Sequence, residues 1–173
     1  MNYLYLITIV TFLISFFVCK KENVSLKIYF ILNVIMILSI FFKSPFLTIL
    51  IPIIISQSII DFKKLELSDI NNIMICLIGL LYGYLNTFNI KSIIFISIFY
   101  IILYILPFSN LGFGDVKYSI SLGFFLTNKQ IPSFIFYSLI IGLCIGIYYK
   151  IVKKEDVFPM GPAIGISALL FLI

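Results

Sequence analysis

Residues 92–117 read SIIFISIFYIILYILPFSNLGFGDVK. No charge interrupts residues 92–114, and a membrane-crossing helix needs about 20 apolar residues. The apolar run then reaches a turn, Gly112-Phe113-Gly114, and meets Asp115 and Lys117 directly after it. A carboxylate at the edge of a membrane is costly to place, so Asp115 is a functional candidate by position alone. The same arrangement occurs earlier in Ile59-Ile60-Asp61-Phe62-Lys63-Lys64, where Asp61 closes an apolar run and opens a polar one.

The rest of the chain fits this reading. Of the 173 residues, 62% are hydrophobic and 11% charged, with a mean hydropathy of +1.22. Soluble domains carry about 25% charged residues, so a soluble protein with an apolar core is set aside. The uncharged runs are 1–19, 28–42, 44–60, 70–90, 92–114, 118–128, 130–149 and 157–173. The fold expected is all-α: a polytopic integral membrane protein of about eight transmembrane helices, forming one domain over 1–173. Run 28–42 is short, but Lys27 and Lys43 flank it and can snorkel to the interfaces. Run 118–128 spans if its helix begins near Asp115; otherwise it is re-entrant. Residues 1–19 lack a basic leading region and a small-residue cleavage site, and read as a first membrane helix.

With eight spans, nine lysines (Lys20, Lys21, Lys27, Lys63, Lys64, Lys117, Lys150, Lys153, Lys154) fall on one side and three (Lys43, Lys91, Lys129) on the other. The positive-inside rule puts the nine in the cytoplasm. All seven acids share that side, so Asp61 and Asp115 face the same way. The net charge of +5 comes from lysines scattered over short loops, the ordinary membrane pattern, and nucleic acid is not an expected partner.

The chain has no histidine, and Cys19, Cys76 and Cys144 form no CxxC pair. A Cys/His zinc site and a disulfide framework are not expected, and a His-based triad or dyad is excluded. Two carboxylates need neither metal nor histidine. Like charges sharing a site do not ionise together easily, so one acid holds a proton while the other acts as base on a water. Gly112 and Gly114 permit left-handed backbone and a close approach, and a following helix favours negative charge at its N-terminus. Taken singly, Asp61 also reads as a solvated helix-end acid, and Asp115 as an N-cap after a glycine turn.

Three blocks resemble one family. They are Ile60-Asp61-Phe62-Lys63-Lys64, Gly112-Phe113-Gly114-Asp115-Val116-Lys117, and Phe158-Pro159-Met160-Gly161-Pro162-Ala163-Ile164-Gly165. The second resembles the GxGDxK motif of type IV prepilin peptidases, which are intramembrane aspartyl proteases. The third is similar to the P-x-G-P segment that opens the family's last helix. The resemblance runs from about Phe46 to the C-terminus. It implies that Asp61 and Asp115 are the catalytic pair, with Gly112, Gly114, Lys117, Gly161 and Pro162 supporting the motifs. It also implies prepilin or pilin-like substrates with a short basic leader, cut at the cytoplasmic face of the bacterial inner membrane, and no cofactor. Two departures stand out. Many members carry a cytoplasmic domain with CxxC pairs, associated with zinc and N-methylation, after the first helix; here only Lys20 to Lys27 stands there, which implies a peptidase-only form. The loop after the first Asp usually reaches Ile-Pro, where this chain has Leu67-Ser68.

Other classes remain open. A small proton-coupled transporter would show repeat symmetry and interrupted helices in corresponding halves; one Gly-broken junction and no repeat stand against it. The other is an inactive scaffold of a pilus or secretion apparatus. Glu66 and Asp69 read as a solvated loop or as a patch that meets a basic leader, and Lys117 as a snorkelling side chain or a charge biasing Asp115. Pro52 is expected to loosen its helix, Pro107 to stop one, and Gly79/Gly83 and Gly142/Gly146 to mark close helix packing.

Overall fold

The computed structural model describes residues 2–40, 45–86, 89–106 and 111–172. Each apolar run yields one helix: α1 (Asn2–Lys21), α2 (Leu26–Ile40), α3 (Pro45–Lys64), α4 (Asp69–Asn86), α5 (Ile90–Ile105), α6 (Phe113–Gly123), α7 (Ile131–Tyr148) and α8 (Gly161–Leu172). A π-helical turn, Tyr149–Lys153, extends α7. Among the described residues there is no strand. Pro107 and Lys43 lie outside the described residues.

Beside an apolar core the bundle buries many polar side chains and exposes many large apolar ones. Ser15, Asn33, Ser56, Gln57, Asn71, Ser92, Ser119, Ser138 and Ser167 are fully buried. Large apolar side chains stand on the outside, among them Leu77, Leu81, Ile94, Phe95, Ile98, Phe136 and Leu143. Among the described residues, one helix, Ile131–Lys153, is long and apolar enough to cross a membrane by itself, while Ile90–Ile105 and Gly161–Leu172 are apolar but shorter.

α3 is the hub. It packs against α1, α2, α4 and α8, and α6 packs against α4, α5 and α8. Small residues let these elements close up. A Cβ on Gly79 would stand 2.6 Å from Phe124 Cβ, and one on Gly142 would stand 2.5 Å from Met160 Sδ. Gly146 likewise makes room for the Phe158 ring. α3 runs unbroken through Pro52, which is buried in it.

Polar contacts define two ends of the bundle. At one end Lys64 pairs with Glu22, Lys63 donates to the Asn23 carbonyl, and Lys117 pairs with Asp69 at 2.9 Å. At the other, Ser92 Oγ donates to Asn128 Oδ1 at 2.9 Å and Gln130 Nε2 to the Phe171 carbonyl at 3.0 Å. α6 has 11 residues, about 16 Å at 1.5 Å per residue, roughly half of an apolar bilayer core. The chain nevertheless leads from the Lys117–Asp69 contact at one end to the Gln130–Phe171 contact at the other over 117–130.

Candidate active site

Both acids sit at the same end of the bundle, and both are buried. Asp61 lies in the last turn of α3 and accepts a hydrogen bond from the Gly161 N–H at 2.7 Å. Gly161 is the first residue of α8, so the carboxylate rests on a helix N-terminus, where free N–H groups and the dipole favour an anion. A Cβ at Gly161 would stand 2.8 Å from both Asp61 Oδ2 and Leu67 Cδ2, so the contact requires glycine. Pro162 follows in the first turn, where a missing N–H has no intrahelical partner to lose.

Asp115 is the third residue of α6, and Gly112, not Asp115, is the N-cap. The Asp115 carboxylate turns back to accept the Gly112 N–H at 3.3 Å, while its second oxygen, Oδ1, is buried without a partner. The glycines do not serve left-handed backbone: Gly112 is extended (φ −72°, ψ 146°), and no described glycine has positive φ. They serve close approach. A Cβ at Gly112 would stand 3.3 Å from Asp115 Oδ2, and one at Gly114 would stand 3.3 Å from Leu67 Cβ.

Leu67 therefore wedges between the two motifs, and the loop carrying it is fixed from inside the bundle. Gln57 Oε1 accepts the Ser68 N–H at 3.0 Å, and Gln57 Nε2 donates to the Ser68 carbonyl at 3.2 Å and to Asn72 Oδ1 at 3.0 Å. Asn71 Nδ2 donates to Ser56 Oγ at 2.7 Å and to Gln57 Oε1 at 3.3 Å. A proline at position 68 would have no N–H for Gln57, so the departure at Leu67-Ser68 is matched by this buried network. The motifs do not reveal it. The available signal was the presence of Gln57, Asn71 and Asn72 inside otherwise apolar runs.

The two acids line one open cleft of about 340 Å³. Leu67, Gly112, Gly114, Glu66, Asp69 and Lys117 line the same cleft. Lys117 is neither free nor paired with Asp115: it takes Asp69 at 2.9 Å, with the Phe113 ring 5.2 Å from its ammonium. Gly161 meets Asp61 through its N–H, and neither Gly161 nor Pro162 is part of the cleft wall. Among the described residues, no group of three His, Cys, Asp or Glu side chains is placed to hold a metal ion.

Comparison with protein families matches residues 46–147 to the type IV leader peptidase family. The chain belongs to that family. The match covers α3 to α7, and hence both carboxylates of this leader peptidase homologue. Gly161, whose N–H binds Asp61, and Pro162 lie beyond it. No curated protein and no solved structure matches the chain closely enough to add to this.

Proposed function

We propose that this peptidase is an intramembrane aspartyl endopeptidase in which Asp61 and Asp115 share the chemistry. The observation that carries the reading is the joint placement of two buried carboxylates, from helices far apart in sequence, on one open cleft at the same end of the bundle. One carboxylate, ionised, takes a proton from a water held between them. The resulting hydroxide adds to the carbonyl carbon of the scissile peptide, and the other, protonated, gives its proton to the carbonyl oxygen. As the tetrahedral intermediate collapses, the second carboxylate takes back a hydroxyl proton while the carbonyl re-forms, the C–N bond breaks, the departing amine takes the proton from the first acid, and the pair returns to one shared proton. The two titrations belong to the pair and are not divided between the residues.

The substrate is a prepilin or pilin-like protein, and the bond cut joins its short basic leader to its first hydrophobic helix. Glu66 and Asp69 on the cleft add negative charge where a basic leader arrives. The enzyme is multi-pass, in the bacterial cytoplasmic membrane, with the cleft on the cytoplasmic side. Three observations support this. Apolar side chains face outward while serines and amides are buried. Lys63, Lys64 and Lys117 stand at the cleft end, and the Ser92 and Gln130 contacts place Lys91 and Lys129 near the other. The chain also leads from end to end over 117–130, as eight passes require. A transporter reading has less support, because both acids sit at helix ends on an open cleft and not in the middle of the bundle.

The test is co-expression with a candidate prepilin, followed by mass measurement of the mature N-terminus. Removal of the leader by wild type is expected. Failure across a panel of pilin-like proteins, with the enzyme present in the membrane, would reject the substrate assignment.

A further inference from the structure

The three helices that hold the carboxylates meet again one turn deeper. Ser58 precedes Asp61 by one turn on α3, Tyr118 follows Asp115 by one turn on α6, and Gly165 follows Gly161 by one turn on α8. A Cβ on Gly165 would stand 2.9 Å from Tyr118 Oη, 2.9 Å from Ile54 Cγ2 and 3.4 Å from Ser58 Oγ. Tyr118 Oη and Ser58 Oγ thus converge on one point beneath the cleft.

Tyr118 is completely buried, and its hydroxyl has no partner. Asp115 Oδ1, three residues earlier on the same helix face, is buried and without a partner as well. One group is a donor and the other an acceptor. Ser58 gives its own hydrogen to the Ile54 carbonyl at 2.9 Å, which leaves its oxygen free to accept. A phenylalanine would fill the same space without burying a hydroxyl. Buried polar groups are almost always hydrogen-bonded, and an internal water needs two to four polar partners.

We propose that Tyr118 is a positioning residue for the carboxylate pair: its hydroxyl donates, through one water also held by Ser58 Oγ, to Asp115 Oδ1. The Asp115 carboxylate is then fixed on both sides, by the Gly112 N–H on Oδ2 and from beneath on Oδ1. The catalytic consequence rests on the aspartyl peptidase reading, but the hydrogen-bonded link does not.

The experiment is a double-mutant cycle on the purified full chain in detergent. Thermal unfolding of wild type, Tyr118→Phe, Asp115→Ala and the double variant is followed from acid to alkaline pH. The hydroxyl is expected to matter in the Asp115 background and to lose its effect in the Asp115→Ala background, where no acceptor remains, with a coupling that changes with pH. Equal effects in both backgrounds at every pH would overturn the proposal and leave Tyr118 a packing residue. If Tyr118→Phe does not purify, Ser58→Ala carries the same cycle. The cycle needs no substrate, so it is decided even if no leader is cut. Where cleavage is measurable, Tyr118→Phe is expected to lower kcat about tenfold at unchanged KM and to move the acid limb of the kcat profile to higher pH. A kcat within about twofold of wild type, with the profile unmoved, would overturn it equally.

Discussion

Asp61 takes its hydrogen bond from another helix, whereas Asp115 takes its own from the N-cap of the helix that carries it. The first bond is 2.7 Å and joins α3 to α8; the second is 3.3 Å and local to α6. Asp61 is thus positioned by tertiary packing, through a glycine that admits no side chain. Asp115 is positioned by secondary structure and keeps one oxygen without a partner. In the proposed mechanism these are two ways of holding one pair. The α3–α8 contact must form before Asp61 is in place, while α6 presents Asp115 as soon as its first turn exists.

That contrast orders the substitutions. Gly161→Ala is expected to have the largest effect. Its methyl would meet both Asp61 Oδ2 and Leu67 Cδ2 at 2.8 Å, and overpacking of this kind costs about 1–3 kcal/mol. Cleavage should fall about 100-fold, the loss typical of a 1 Å misplacement. Leader cleavage together with thermal unfolding measures both. Gly112→Ala meets Asp115 Oδ2 at the looser 3.3 Å, and should lose only about tenfold in rate by the same reasoning. If the order of these two were reversed, the proposed division between tertiary and local positioning would be wrong.

Gln57→Leu sharpens the comparison from inside the bundle. It frees the Ser68 N–H and carbonyl together with the amide of Asn72, and a buried group left unpaired costs about 1–3 kcal/mol. The melting temperature should fall, and activity with it, because Leu67 is released from Gly114 and Gly161. A stability loss with full activity would show that the loop does not position the site. The smallest effect is expected for Lys117→Gln. Its partner Asp69 is largely exposed, and exposed ion pairs contribute about 0–1 kcal/mol. Stability should hardly change, and any kinetic effect should appear in KM for leaders of differing charge.

The helices were legible because charges cut the chain where helices end, so eight apolar runs became eight helices. Boundaries were less so. α5 ends at Ile105, just before Pro107, where a stop was expected, but α6 already starts at Phe113, because the glycine turn belongs to the start of the next helix. That Asp61 and Asp115 face the same end was readable from position. Their different supports were not, because the Gly161 bond and the Gln57 clamp join residues that only packing brings together. Of the two roles read for Gly112 and Gly114, left-handed backbone is not found and close approach is, but to neighbouring side chains. Glycine advertises backbone freedom in a sequence, whereas here it supplies space for neighbours.

The central claim is that Asp61 and Asp115 work as one pair. The most direct measurement is leader cleavage of a prepilin by purified wild type, Asp61→Asn and Asp115→Asn at equal protein levels, with the melting temperature of each recorded alongside. The account predicts cleavage by wild type and a loss of about 1,000-fold or more in each single variant, with folding retained. A folded variant of either kind that kept a substantial fraction of the wild-type rate would contradict it.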